Sequence, residues 1–174
     1  MQMRLSVLGA ICAAFIPAIS MAEAGAPAWS YTGKDSPEHW GELSPVYATC
    51  QLGKNQSPVD LSTAQASADN SAKFHYEALN YTVENNGHTI QATPAESVQA
   101  LQLGDKTFTF KQFHFHTPSE HTLQNKHFPM EVHFVHQSDA GELAVLGVMF
   151  SEGEENPALK PLLAKKLQAG EKNQ

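Results

Sequence analysis

Residues 113–121 read FHFHTPSEH, histidine alternating with phenylalanine before a glutamate and a third histidine. In an extended strand, successive side chains point to opposite faces. His114 and His116 therefore share one face while Phe113 and Phe115 share the other. The phenylalanines suit a core. Two neighbouring imidazoles do not, because each needs a hydrogen-bond partner or a metal once water is removed. A second stretch, MEVHFVHQ at 130–137, repeats the pattern, with Glu131, His133 and Val135 on one face and Val132, Phe134 and His136 on the other. If the two strands lie antiparallel and adjacent, His133 faces His114 and His116 at cross-strand distance. Three neutral imidazoles on rigid strands make a zinc site whose fourth tetrahedral position is free for water, which separates a catalytic zinc from a structural one. An H-x-H pair alone is a weak signal; the second alternating strand is what strengthens it.

A ligating imidazole usually gives its other N–H to a carboxylate, amide or carbonyl, which fixes its tautomer. Gln112 lies two residues before His114, and Glu131 two before His133, each on its neighbour's face. The same offset recurs on both strands. Read without a metal, Gln112 and Glu131 are solvent-facing strand residues.

Positioning these groups requires strands, and the chain supplies them. Strand-like runs lie around Phe74 to Tyr76, Tyr81 to Glu84, Thr89 to Ala92, Ser97 to Leu103, Thr107 to His116, Glu131 to His136 and Leu143 to Phe150. Turn signals separate them, among them Asn85-Asn86-Gly87, Gly104-Asp105 and Asp139-Ala140-Gly141. The aromatic, Gly- and Pro-containing opening WSYTGKDSPEHWGELSP reads as an ordered surface arm rather than a helix or strand. One helix is expected near the end, capped by Asn156, with Pro157 at its first position and Leu159, Leu162, Leu163 and Leu167 as its apolar face before Gly170. The fold class is mostly β.

Composition bounds the rest. A chain of 174 residues that is 41% hydrophobic is expected to form one domain. A net charge of −7 and the lack of any basic run exclude a nucleic-acid surface. Arg4, the apolar run Leu5 to Ile19 and the Ala22-Glu23-Ala24 pattern read as a secretory signal over residues 1–24, the run being short for a membrane span. An uncleaved anchor is the alternative reading. Cleavage leaves Gly25 to Gln174 with a single cysteine, Cys50, bound for an oxidising compartment, either as a buried free thiol or as half of a disulfide.

The blocks QFHFHTPSEH, MEVHFVH, NNGH, NQSPVD and LAVLG, in this order of interest, resemble the α-class carbonic anhydrases, the first block in the manner of their exported bacterial branch. The match runs from about Trp29 to the C-terminal helix. The resemblance implies a central, twisted, largely antiparallel sheet with a few short helices, and a Zn2+ cofactor on His114, His116 and His133, oriented by Gln112 and Glu131. It also implies reversible hydration of CO2 to bicarbonate in the periplasm or outside the cell. Val135 and Val145 match two residues of the CO2 pocket, His88 of NNGH the proton shuttle, and Glu120 the glutamate that acts through a threonine hydroxyl on the reactive group at zinc. Histidine is the side chain suited to passing protons near neutral pH, though a histidine beside a turn is otherwise an exposed bystander. His39, His121 and His136 are read as structural, and His75 and His127 as surface residues.

The sequence also departs from that family. Members continue beyond the helix ending near Gln168 with further core strands, the threonine that partners Glu120 and, in exported bacterial relatives, a cysteine that pairs with the Cys50 position. The domain at 25–174 is therefore expected to be C-terminally incomplete, with those strands absent, to fold poorly, and to show little hydration activity. The run Leu143 to Phe150 gives the same warning, since an uncharged apolar strand wants neighbours on both sides and only the His133 strand is evident. A non-catalytic or weakly active zinc-binding fragment is the competing reading. The expected partner is CO2/bicarbonate, with no nucleic acid, no membrane after signal cleavage, and a homodimer left open.

Overall fold

The computed structural model describes residues 28–65 and 72–173. The expected leader at 1–24 lies outside the described residues. Among the described residues, ten strands follow one another: β1 (Ala72–His75), β2 (Tyr81–Asn85), β3 (Ile90–Pro94), β4 (Ala100–Leu103), β5 (Lys106–His116), β6 (Thr122–Leu123), β7 (Lys126–His127), β8 (Met130–Gln137), β9 (Leu143–Phe150) and β10 (Lys172–Asn173). Eight of them form one antiparallel sheet, and β6 with β7 makes a separate small hairpin. Among the described residues, no helix is long and apolar enough to cross a membrane.

β5 is the axis of the sheet. Along one edge it pairs first with β4 (Ala100↔Thr109 to Leu103↔Lys106) and then with β3 (Gln91↔His114, Ala92↔Phe113). Along the other it pairs with β8, which in turn pairs with β9 over its whole length. The register between β5 and β8 shifts between Phe110 and Gln112, where Phe110 opposes His136 but Gln112 opposes Val135. Lys111 is the extra residue of a β-bulge. This changes what simple alternation would give. Phe108, Phe110, Gln112, His114 and His116 are all even-numbered, and an unbroken strand would put them on one face. The bulge sends Phe110 into the core, where it is 2% exposed, and turns Gln112, His114 and His116 to the other side. The core face then carries an aromatic layer in which Phe110 packs on Phe134 and His136, and Phe113 packs on Phe134 and Phe115.

Two expectations need correction. The terminal helix spans only Lys160–Leu163. Pro161 explains this, because its ring occupies the space of the carbonyl four residues earlier and it has no N–H to bond there, so no helix can run continuously from Pro157. Asn156 does accept a hydrogen bond, from the Ala158 N–H at 3.0 Å, but in a turn that precedes the helix, and Leu167 is buried beyond it. The opening arm is not free of helix either. It is built of one-turn helices at Gly33–Asp35, Pro37–His39, Trp40–Leu43, Pro45–Tyr47 and Thr49–Leu52.

β9 behaves as its composition warned. Among the described residues it pairs only with β8, and Leu143, Val145 and Val148 are 65%, 52% and 40% exposed. Cys50 is exposed, which removes the buried-thiol reading.

Candidate metal centre

The strand register decides which side chains meet. His114 opposes His133, which opposes Gly147, so one row crosses β5, β8 and β9 at right angles to the strands. The next row carries His116, Glu131 and Met149, and the row on the other side carries Gln112, Val135 and Val145. Two ligand positions are thus direct cross-strand neighbours and the third is one row away on the same face. The ring centroids are 4.8 Å apart for His114 and His116, 4.6 Å for His116 and His133, and 5.5 Å for His114 and His133. One nitrogen of each ring can be chosen so that all three lie within 4.8 Å of one another.

The remaining ring nitrogens show which ones those are. His114 Nδ1 lies 2.8 Å from Gln112 Oε1, and an amide oxygen only accepts, so Nδ1 carries the proton and Nε2 is left with a lone pair. His133 Nε2 lies 2.9 Å from Glu131 Oε1, close but misaligned, and its Nδ1 is on the other side of the ring. His116 Nδ1 is 3.4 Å from the Tyr31 hydroxyl, and its Nε2 is buried with no hydrogen-bond partner. A buried imidazole nitrogen without a partner is costly unless something else fills the role. Three imidazole donors with no sulfur among them suit zinc. Burial first, and then the neighbouring histidines, pull His114 and His116 down to about 4, so both rings are neutral and able to ligate at physiological pH.

Glu131 is the most enclosed charge in the site, with a side chain 0% exposed. Its Oε2 accepts the backbone N–H groups of Glu120 and His121, each at 3.0 Å, and its Oε1 accepts His121 Nδ1–H at 2.7 Å. Burial alone would raise its pKa, but these bonds and His133 outweigh it and hold the carboxyl below its usual range, ionised. The loop that presents those donors is tied down by Ser119, whose hydroxyl donates to the His121 carbonyl and accepts the Phe128 N–H. His121 is therefore more than a structural histidine, because it braces the carboxylate beside His133. A second grouping, His121 with Glu131 and His133, also has metal-ligating types within reach of one another, but these atoms are already engaged with each other.

Glu120 is 22% exposed, and its Oε1 accepts the Tyr31 hydroxyl at 2.9 Å. Its Oε2 lies 3.4 Å from His116 Nε2 and 3.7 Å from His133 Nδ1. Burial and the Glu120 charge raise the Tyr31 phenol well above its ordinary range, so it stays protonated and donates. His88 is exposed and stacks on Trp29 with ring centroids 3.8 Å apart and planes 9° from parallel. It lines a cavity of about 620 Å³ together with Tyr31, Trp40, His116 and Glu120. Asn86 shapes the turn that carries it, accepting the N–H groups of both His88 and Thr89. Val135 and Val145 are cross-strand partners on the His133 face, Val135 half-buried and Val145 exposed.

The structure thus brings together Gln112, His114, His116, Glu120, Glu131 and His133, and sets His88 on the wall of the same cavity. Sequence reasoning missed Trp29, Tyr31 and Gly147, and gave His121 no part. Trp29 and Tyr31 carry only a faint signal, two exposed-type aromatics in an arm with no periodicity.

Comparison with known proteins agrees with this geometry. The family model described as eukaryotic-type carbonic anhydrase matches residues 35–174. A carbonic anhydrase of Neisseria gonorrhoeae is 43% identical over 77% of this chain and 53% of its own length. One of Klebsiella pneumoniae is 44% identical over 78% of this chain and 56% of its own. The chain thus spans about half the length of these curated relatives. Among solved structures, the α-carbonic anhydrase from Thermovibrio ammonificans in complex with the inhibitor sulfanilamide superposes with a TM-score of 0.77 at 43% identity, over 84% of this chain and 66% of that one. A histidine triad assembled on adjacent antiparallel strands, in a sheet shared with solved relatives and within a match over most of the chain, has one source: the chain belongs to the eukaryotic-type, or α, carbonic anhydrase family.

Proposed function

We propose that this chain carries a zinc site for the reversible hydration of CO2 to bicarbonate and a proton. The observation that supports it most is the buried, partnerless His116 Nε2 in a cluster of three imidazoles that each offer a ring nitrogen within 4.8 Å of the others. His114, His116 and His133 would hold the Zn2+. Bound there, zinc supplies Lewis acidity that lowers the pKa of a water ligand to about 7. The chain's own residues do the rest. Gln112 and Glu131 fix the rings of His114 and His133, and His121 with two backbone N–H groups fixes Glu131. Val135 and Val145 offer an apolar surface for CO2 on the His133 face. Glu120 holds negative charge next to the ligand histidines, with Tyr31 as its hydroxyl partner. His88, exposed at the cavity wall, exchanges protons with buffer.

A zinc-binding domain with weak or no turnover is favoured by two observations. The hydroxyl at Glu120 comes from a tyrosine, and Val145 is 52% exposed rather than walled into a pocket. Zinc content, aromatic-sulfonamide binding and CO2 hydration measured on one preparation separate the two readings. Stoichiometric zinc with sulfonamide affinity and hydration supports the enzyme, and zinc without hydration supports the binding domain. An unchanged zinc content in His116→Ala would overturn the site itself. We further propose that residues 1–24 are a cleaved export signal and that the domain works in the periplasm or outside the cell. N-terminal sequencing of the exported product tests this, and a product beginning at Met1 would refute it.

A further inference from the structure

We propose that Gly147 is a positioning residue for the metal centre, its missing side chain being the space that Glu131 needs in order to reach His133. This rests on the zinc reading above. Gly147 lies on β9 directly opposite His133 on β8. Its backbone is not in a left-handed conformation, so no turn or strained torsion calls for glycine. Glycine in a strand interior weakens the strand and often marks the close approach of another group. Here the approaching group is identified. A Cβ built on Gly147 would lie 2.7 Å from Glu131 Oε1 and 3.7 Å from His133 Cδ2. Real Cβ atoms essentially never come within 3.0 Å of another atom, so one of the two must move.

The carboxylate has nowhere to go. Glu131 is fully buried, and three hydrogen bonds from Glu120 N–H, His121 N–H and His121 Nδ1–H already fix both its oxygens. The oxygen that would be struck, Oε1, is the one that faces His133 Nε2 at 2.9 Å. A methyl group at position 147 therefore acts on one contact, pushing Oε1 away from His133 and freeing the ring that offers its other nitrogen to the metal. Loss of an outer partner of a metal-ligating histidine typically costs about 10- to 100-fold in metal affinity.

The test is a double-mutant cycle in the full chain between Gly147→Ala and Glu131→Asp, read by zinc affinity in chelator competition and by unfolding of the metal-free proteins. Gly147→Ala alone should weaken zinc binding about 10- to 100-fold. Aspartate is one methylene shorter and vacates the volume that the new methyl needs. In the Glu131→Asp background, the added Gly147→Ala should therefore change zinc affinity by less than about threefold, a non-additivity that generic damage to β9 cannot produce. If Gly147→Ala fails to fold while the double variant folds, the conflict is again located at the Glu131 carboxylate. The proposal is overturned if Gly147→Ala binds zinc as the parent does, if the two effects add, or if neither variant folds. A parent chain that binds no zinc overturns the zinc reading first, a result distinct from a zinc-binding parent indifferent to position 147.

Discussion

Replacing Thr89 by valine should loosen the strand that carries two of the three histidines, without touching any of them. β3 begins at Ile90 and pairs with β5 only at His114 and Phe113, so the next rung toward His116 has no backbone partner on that side. The Thr89 hydroxyl fills the gap. It donates to the Phe115 carbonyl at 2.5 Å and accepts the Phe115 N–H at 3.1 Å, so one side chain serves as both halves of a missing ladder rung. Phe115 sits between His114 and His116. Valine keeps the shape of threonine and removes the hydroxyl, leaving two backbone groups without partners. Each such group costs about 1–3 kcal/mol when buried, and the half-buried setting of Thr89 puts the pair near the low end, about 2–3 kcal/mol together. A domain stable by about 5–15 kcal/mol survives that loss, so the variant remains measurable. Urea unfolding should show a lower midpoint for Thr89→Val at unchanged m, and Thr89→Ser, which keeps the oxygen, should stay within about 1 kcal/mol of the parent. Equal midpoints for Thr89→Val and the parent, or a larger loss for serine than for valine, would refute the rung.

Two further outcomes are expected. The metal-free chain should lose stability as the pH falls from about 6.5 toward about 4, because His114 and His116, held down first by burial to about 4, are neutral in the fold while the unfolded chain takes up protons below 6.5. That contribution is fully present above 6.5. A melting temperature that stays flat from pH 7 to 5, or that falls as steeply in a His114→Gln, His116→Gln double variant, would contradict this assignment. His88→Ala should leave zinc content unchanged and slow hydration, with partial recovery in imidazole buffer; wild-type turnover indifferent to buffer would return His88 to the bystanders.

The centre was legible in the sequence because its logic is periodic. Alternation placed His114 with His116 and Glu131 with His133, and the offset of two picked out Gln112, now found 2.8 Å from His114 Nδ1. Elements with strong alternation or unbroken apolar character, β5, β8 and β9, were read to within a residue or two. What escaped was non-periodic. Pro161 shortened the terminal helix by a local clash, and the arm's one-turn helices leave no apolar period to read. Tyr31 reaches Glu120 across 89 residues of sequence, and His121 meets Glu131 through a loop whose path Ser119 sets. Gly147 was invisible for another reason: its contribution is a volume, and a missing side chain has no type to recognise.

The bulge at Lys111 gives the centre an arithmetic character. Lys111 is exposed and has no partner across the β5–β8 ladder, so its place there is set by the backbone rather than by its side chain. Its deletion would leave a regular ladder with every face kept, whereas one further residue inserted beside it and not absorbed by the bulge would reverse the parity of β5 beyond that point, so that Gln112, His114 and His116 exchange places with Phe113 and Phe115. The imidazoles would enter the aromatic layer and the phenylalanines would line the cavity. The stretch between Phe110 and Gln112 can thus lose its extra residue and keep the faces but cannot gain a second, and the centre is encoded by a count of residues as much as by their identity.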